Sequence, residues 1–410
     1  MHLANIRIIN AHILDVVQGS LLPKQCLLIK DGLIEAVGND LPEEPVDMTL
    51  DAAGRVVMPG LCDAHVHITA GTPDFVALRH WPPSYVTAHA KHILEGMLMR
   101  GFTTVRDAGG ADFGYAQAIE EGLLTGPRLL FCGHALSQTG GHGDMRLPGD
   151  NQTDHCFCCA GLGKVCDGVA EVRKACRDEI RKGAHQIKLM VSGGVASPTD
   201  RIDSTQFAED EIRAAVEETE AANIYVMAHA YTNRAIKRAL EAGVRSIEHG
   251  NLIESDGIEL LKKKGAFLVP TLSTYDQLAL RGVEAGMPEA LQKKVYSVLD
   301  AGLQALEAAW LADANIVFGT DLLGSMHDAQ LKEFAIRGEI IPPDELIRSA
   351  TVKAAELFNL SGQIGVLAKG YRADLLIVDG NPLDDPGVLQ QPEKYLKLIM
   401  KDGRIYKNQL

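Results

Sequence analysis

Residues 58–67 read MPGLCDAHVH, an apolar segment that begins with a Pro-Gly turn and ends in two histidines. Because side chains alternate across a β-strand, His65 and His67 point to the same face. Other apolar segments of the chain carry Lys188, His229, His249 and Asp321 at or near their ends. Functional side chains at the carboxyl ends of parallel strands are typical of a (β/α)8 barrel, so these segments predict that fold.

The rest of the chain supports an α/β protein with two domains. Strand and helix signals alternate through the middle, and we place barrel strands near residues 56–67, 103–107, 128–133, 185–191, 224–229, 246–249, 267–270 and 315–320, with helices such as 210–222 and 235–242 between them. Both termini instead carry short β-type segments with turns. We therefore predict a (β/α)8 TIM barrel over residues 58–357 and a small flanking β-sandwich domain from residues 1–57 and 358–410.

Composition excludes several classes of protein. Net charge is −14 and the chain has no basic run, so a nucleic-acid partner is disfavoured. No apolar run approaches the roughly 20 residues of a membrane helix, and the N-terminus lacks the apolar stretch of a signal peptide. We expect no membrane partner, a cytoplasmic location and a homo-oligomer. The eight cysteines are too unevenly spaced for a disulfide framework.

The histidines and the aspartate predict a site for two divalent metal ions. His65 and His67 on one strand are suited to one ion, while His229 and His249, one βα unit apart, are suited to a second. The carboxylate of Asp321 can both bind an ion and transfer a proton. Zinc is the default ion for a histidine-rich hydrolytic site, although manganese or cobalt suits the same ligands.

Lys188 is the most informative member of this set, since it lies in an otherwise apolar strand. A buried ammonium is costly, so the side chain is expected either to lose its proton or to be modified. A neutral amine can add carbon dioxide to give N6-carboxylysine, whose carbamate bridges two cations. Such a carbamate, Asp321 and a hydroxide would bring −3 against the +4 of two divalent ions. The alternative is a lysine paired with a neighbouring carboxylate.

Together these segments resemble the amidohydrolase superfamily in its binuclear form with a carboxylated lysine. The resemblance is closest to the prolidase and Xaa-Arg dipeptidase group, related to imidazolonepropionases, and it extends to the closing segment GYRADLLIVDGNPL at residues 370–383. It implies that one ion is held by His65, His67 and Asp321 and the other by His229 and His249, with Lys188 as the bridge.

Substrate contacts are predicted on the same rim. The resemblance implies that His142 and Tyr231 contact the C-terminal residue of a dipeptide, at its carboxylate or scissile carbonyl. In the glycine-rich loop after Lys188, we select Val195 and Arg201 as further contacts, and residues 79–92 are suited to a lid or pocket wall. The alternatives are a packing tyrosine, a loop-capping histidine and a solvated arginine.

The function predicted first is hydrolysis of Xaa-Pro dipeptides by a hydroxide that bridges the two ions, with Asp321 as the catalytic proton carrier. Dipeptides ending in Arg, Lys or a hydrophobic residue, N-acyl amino acids and cyclic amides are alternative substrates. An alternative of another class is a non-catalytic, metal-binding scaffold, which the intact set of six ligands disfavours.

A second cluster of possible ligands lies in the segment 154–166. It contains His155, Cys156, Cys158, Cys159 and Cys166, which allow a structural zinc site. Their spacing lacks the usual paired pattern, so reduced thiols in a loop are the preferred interpretation.

Overall fold

The computed structural model describes residues 3–41, 44–151 and 161–410. The chain divides into two compact units, one of residues 1–63, 95–105 and 331–410 and one of residues 64–94 and 106–330. Residues 95–105 and 331–357 thus group with the terminal segments, whereas the sequence places them in the barrel domain. The domain boundaries given above remain a prediction.

The first unit contains an eight-stranded sheet built from both ends of the chain. Its order is β18-β17-β16-β5-β1-β2-β3, with β4 paired to β1. Strand β16 joins the two ends because it pairs antiparallel with both β5 and β17. The strands are β1 (Ile6–Asp15), β2 (Ser20–Lys30), β3 (Leu33–Gly38), β4 (Met48–Asp51), β5 (Val56–Pro59), β16 (Leu375–Val378), β17 (Leu396–Lys401) and β18 (Arg404–Asn408).

The barrel strands lie mainly in the second unit, although the first two of them begin in residues assigned to the first unit. From β11 to β15, each strand pairs in parallel with the next one. The remaining strands form the sheet β6-β7-β8, and β9 and β10 extend the β11 edge. The strands are β6 (Leu61–Val66), β7 (Phe102–Asp107), β8 (Arg128–Leu130), β9 (Ala135–Ser137), β10 (Gly163–Val165), β11 (Ile187–Met190), β12 (Val226–Thr232), β13 (Ser246–Leu252), β14 (Phe267–Val269) and β15 (Asn315–Ile316).

Backbone hydrogen bonds close these strands into a ring. The amide of His185, just before β11, donates to the carbonyl of Phe131, just after β8, at 2.9 Å. On the other side, the amide of Ala64 in β6 donates to the carbonyl of Phe318 beyond β15, also at 2.9 Å. The order β6, β7, β8 and β11 to β15 therefore confirms the predicted (β/α)8 barrel, with a smaller β domain from both termini.

The first predicted barrel strand is divided in two. Residues Val56–Pro59 belong to the eight-stranded sheet, and the barrel strand begins only at Leu61. Gly60 separates them, where a Cβ atom would lie 2.2 Å from the Thr103 hydroxyl. A continuous apolar run does not reveal this division, because both halves are buried.

Helices follow most barrel strands, as the sequence predicts. For example, α6 begins after Thr232, whose hydroxyl accepts from the Ala235 amide, and ends at Gly243 in the left-handed region. The helices are α1 (Phe75–Leu78), α2 (Pro83–Met99), α3 (Phe113–Glu120), α4 (Gly168–Arg181), α5 (Glu209–Ala221), α6 (Asn233–Ala242), α7 (Ser255–Lys263), α8 (Leu272–Arg281), α9 (Gln292–Leu311), α10 (Lys332–Gly338), α11 (Pro343–Ser349), α12 (Val352–Leu357) and α13 (Pro392–Tyr395). Within the described ranges, none of the helices is long and apolar enough to span a bilayer.

Candidate metal centre

Two histidines from β6 and an aspartate beyond β15 form a compact group. The Nε2 atoms of His65 and His67 lie 3.5 and 3.2 Å from Oδ1 of Asp321. Both imidazoles are buried, and the carboxylate side chain is 18% exposed. One donor atom from each residue falls within 4.8 Å of the others, so this group could hold a metal ion.

The other two predicted histidine ligands lie beside this group. His229 and His249 come from the parallel neighbours β12 and β13, and their ring centroids are 4.7 Å apart. The His249 ring is also 4.8 Å from that of His65. The barrel therefore brings the four histidines and Asp321 into one cluster.

Each of the four imidazoles has one nitrogen bonded to another protein group. These contacts are His65 Nδ1 to Glu248 Oε2 at 2.7 Å, His67 Nδ1 to Gly109 O at 2.9 Å, His229 Nε2 to Gly193 O at 3.0 Å and His249 Nδ1 to Thr271 Oγ1 at 2.7 Å. A carboxylate or carbonyl oxygen only accepts, so in the first three rings that nitrogen carries the proton when the ring is neutral. The opposite nitrogen then presents a lone pair, as in a metal-binding histidine.

The surroundings favour the neutral form of three of the four rings. Burial lowers the pKa of His65, His229 and His249 well below the usual value. For His67 burial acts in the same direction, but the carboxylate of Asp321 outweighs it and raises the pKa. When both His65 and His67 are neutral, their Nε2 lone pairs face Oδ1 of Asp321 and repel it, and a cation between the three groups would remove this repulsion in place of a proton on His67. This donor set therefore fits a divalent ion.

Two of the predicted ligands have a left-handed backbone. The φ angles are 71° at His249 and 53° at Asp321. Residues other than glycine rarely adopt this region, and histidine and aspartate pay a steric cost there. The surrounding barrel holds both residues in this conformation, which turns their side chains into the cluster.

Lys188 lies on β11, and its side chain is almost fully buried at 1% exposure. Burial lowers the pKa of its amine, although the nearby carboxylates of Glu248 and Asp321 oppose this effect. A lower pKa increases the neutral fraction, which is the form that can react with carbon dioxide. The alternative, a lysine paired with a neighbouring carboxylate, stays open, and Glu248 and Asp321 are the carboxylates whose charges act on Lys188.

A buried ion pair supports His65 and was missed by sequence reasoning. Glu248 accepts from His65 through Oε2 and from Arg106 Nη2 through Oε1, the latter at 2.9 Å. The Ser246 hydroxyl also donates to Oε1, at 2.7 Å. Glu248 stands directly before His249 in the sequence, but its contacts with His65 and Arg106, both distant along the chain, are visible only in the folded protein.

Asp107 is a second buried carboxylate that supports a predicted histidine ligand. It accepts from the amides of Ile68 at 2.8 Å and Gly109 at 2.9 Å. These bonds shape the turn whose Gly109 carbonyl faces His67. Asp107 closes a predicted strand, so its position was visible in the sequence, but its partners were not.

The cluster lies in a cavity with apolar walls. The predicted substrate contacts His142, Tyr231 and Val195 line it, together with Lys188 and the other predicted ligands. The remaining wall is formed by Phe75, Gly143, Met145, Leu162, Gly163, Met190, Ala196, Thr274, Leu278 and Leu323. The phenol of Tyr231 accepts a hydrogen bond of 2.9 Å from Tyr275, so its own proton can serve another acceptor.

Arg201 is not brought to this cavity. Its side chain is 82% exposed and pairs with Asp203 at 2.7 Å, so it fits the alternative of a solvated arginine. Of the candidate zinc cluster, His155, Cys156, Cys158 and Cys159 lie outside the described residues, while Cys166 is buried.

Thr274 is a further candidate that the sequence did not suggest. It lies in the first turn of α8, is 1% exposed and lines the cavity. Within the described part of the chain its hydroxyl has no hydrogen-bond partner. A buried hydroxyl without a partner carries a free-energy cost that a bound polar ligand can remove.

A sequence profile of the amidohydrolase family matches residues 56–406. The chain belongs to the amidohydrolase family. Members of this superfamily typically depend on metal ions, which agrees with the cluster of histidines and aspartate.

Several amidohydrolase relatives are similar over nearly the whole chain. A prolidase crystallised with N-methylphosphonate-L-proline is 47% identical, with a TM-score of 0.96 over 99% of this chain and 100% of that one. A Xaa-Pro dipeptidase crystallised with methionine in its active site is 28% identical, with a TM-score of 0.88 over 98% and 100%. The ochratoxinase of Aspergillus niger is 34% identical over 98% of this chain and 87% of its own. The protein is therefore a hydrolase of the amidohydrolase superfamily.

Proposed function

We propose that the protein hydrolyses the amide bond of small substrates, first of all dipeptides with C-terminal proline. One observation carries this proposal: the predicted ligands and three of the predicted substrate contacts, His142, Tyr231 and Val195, line a single cavity at the ends of the barrel strands. The similarity to a prolidase and to a Xaa-Pro dipeptidase supports the choice of proline.

In this proposal two divalent ions, zinc by default, are held by the cluster. His65, His67 and Asp321 would hold one ion and His229 and His249 the other, and carboxylated Lys188 would serve as a further ligand. When bound, the ions would supply Lewis-acid polarisation of the substrate carbonyl and a nucleophilic water at neutral pH.

The side chains of the protein account for the remaining steps. Asp321 accepts the proton of the attacking water at a carboxylate oxygen and delivers it to the leaving nitrogen. Tyr231 donates a hydrogen bond to an oxygen atom of the substrate, at its carboxylate or its scissile carbonyl, and His142 does so through Nε2 when both of its ring nitrogens carry a proton. The apolar walls exclude water, so these charge-assisted contacts are stronger than they would be in solvent.

The cavity lining also disfavours substrates with a basic leaving residue. Among the described residues that line the cavity, Asp321 is the single carboxylate, and in this proposal it binds metal. A C-terminal Arg or Lys would therefore enter the cavity without an acidic partner, at a large desolvation cost. Proline or another apolar residue does not carry this cost.

A second candidate is hydrolysis of another apolar amide, such as an N-acyl amino acid. The 34% identity to an ochratoxinase favours this candidate, because that relative is known as an ochratoxinase and not as a dipeptidase. The walls contributed by Phe75, Leu278 and Leu323 are suited to an apolar group.

A matched set of substrates tests these alternatives. Ala-Pro, Ala-Phe, Ala-Arg and N-acetylproline would be incubated with zinc-loaded protein produced in the presence of bicarbonate, and the released amino acid would be measured. We expect the highest kcat/KM for Ala-Pro and the lowest for Ala-Arg. Preference for Ala-Arg would contradict the proposal, and bound metal without turnover of any amide would favour the non-catalytic scaffold.

A further inference from the structure

The ammonium group of Lys294 is surrounded by a single loop. Lys294 lies in the first turn of α9, and its Nζ donates to the carbonyl oxygens of Gly194, Ser197 and Asp200 at 3.1, 3.0 and 2.7 Å. An ammonium has three donors, and these three carbonyls satisfy all of them. The loop 193–200 is therefore wrapped around one charge.

The same loop holds His142 in the cavity wall. Nδ1 of His142 lies 2.7 Å from the Ser197 hydroxyl and 3.5 Å from Oδ2 of Asp200. The Ser197 hydroxyl in turn donates to Asp200. Although burial opposes ionisation, hydrogen bonds from His142 and Ser197 and the charge of Lys294 hold the pKa of Asp200 well below its usual range. The carboxylate is therefore ionised, and it keeps the proton of His142 on Nδ1.

The loop also contacts the imidazoles through its backbone. A Cβ atom on Gly194 would lie 2.2 Å from the His142 ring, so the backbone packs directly against that ring. The preceding carbonyl, of Gly193, accepts from His229, and the His142 and His229 rings stack with centroids 4.3 Å apart. A change in the loop would therefore displace His142, which the loop contacts both at its ring and at Nδ1.

We propose that Lys294 is a positioning residue for the active site: its ammonium fixes the loop 193–200, which holds His142 in the orientation that meets the substrate. The role of the loop stands on geometry alone, whereas the catalytic consequence rests on the proposed amide hydrolysis. Lys294 itself does not line the cavity, so it acts through His142.

The loop is tested by limited proteolysis, which does not depend on any activity. Arg201 immediately follows the loop, its side chain is 82% exposed, and trypsin cleaves after arginine. We expect cleavage after Arg201 to be at least about 10-fold faster in K294M than in the wild type, since a charge-assisted hydrogen-bond network is lost. The exposed neighbour Lys293 provides the matched control K293M, expected to behave as the wild type. Equal cleavage of K294M and wild type would overturn the proposal.

The effect on His142 is tested by a double-mutant cycle. We expect K294M and H142N each to lower kcat/KM for the preferred substrate by about 10-fold or more, and the double variant to be no worse than H142N. K294R, which keeps the charge but not the three-donor geometry, should fall between wild type and K294M. Fully additive losses would show that Lys294 does not act through His142. If the wild type turns over no amide, the proposed function fails, and the proteolysis still decides whether Lys294 holds the loop.

Discussion

Glu248 and His65 share a buried hydrogen bond, in which Nδ1 of the imidazole lies 2.7 Å from Oε2 of the carboxylate. Both side chains are at most 1% exposed, and Arg106 holds the second carboxylate oxygen. The carboxylate keeps the proton of His65 on Nδ1 and directs Nε2 toward Asp321. A residue that contacts no predicted ion thus sets the orientation of a predicted ligand.

The first prediction concerns the hydrogen bond from His65 to Glu248. E248Q keeps the size of the side chain but removes its charge, so His65 becomes a weaker and less well oriented ligand. We expect the affinity for zinc to fall about 10- to 100-fold, measured by competition with a coloured chelator. The exposed Glu254 provides the control E254Q, expected to bind zinc as the wild type does. Unchanged zinc affinity in a folded E248Q would show that the pair is purely structural.

The second prediction concerns the proton carrier. D321N retains an oxygen near the histidines but cannot accept a proton, so kcat should fall by about 10²- to 10⁴-fold while some metal remains bound. Turnover and metal content would be measured on the same preparation. D328N changes an exposed aspartate that pairs with Arg281 and should keep full activity. Near-normal turnover by D321N would contradict the assignment.

The third prediction concerns Lys188 and metal removal. If the buried amine carries carbon dioxide, protein stripped of metal by a chelator should recover activity faster with zinc and bicarbonate than with zinc alone. Protein prepared with ¹³C-bicarbonate should show a carbamate signal in the ¹³C NMR spectrum, absent from K188M. Equal recovery in both solutions, with no carbamate signal, would favour the alternative of an unmodified lysine near a carboxylate.

The fourth prediction concerns the buried hydroxyl of Thr274. Because the hydroxyl has no partner among the described residues, T274V should leave the free energy of unfolding unchanged or raise it by up to about 1 kcal/mol. If the hydroxyl contacts the substrate, its loss in T274V should lower kcat/KM by up to about 10-fold. T274S, which keeps the hydroxyl, should retain kcat/KM. Full activity of T274V would mean that the residue only fills space.

Much of the fold could be predicted from the sequence because the patterns that indicate barrel strands are local. The apolar run that ends in His65 and His67 and the strands before His229 and His249 are read from neighbouring residues alone. The division of the first strand at Gly60 could not be predicted from the sequence, since it depends on the close approach of Thr103, which is distant in sequence. The exposure of Arg201 was not predictable either, because a glycine-rich loop has no periodicity that shows which side chains face the cavity.

The sequence alone determined the barrel, the β domain from both termini and the six residues proposed to bind metal, because strand periodicity places each ligand at a strand end. Tertiary structure decided which groups stand behind those residues. Glu248 and Arg106 are separated by 142 positions, and Lys294 is about 100 positions from the loop it holds. Such pairings form only when the chain folds into the barrel. No local pattern predicts them, because each partner lies in a segment whose sequence is that of an ordinary buried strand or exposed helix.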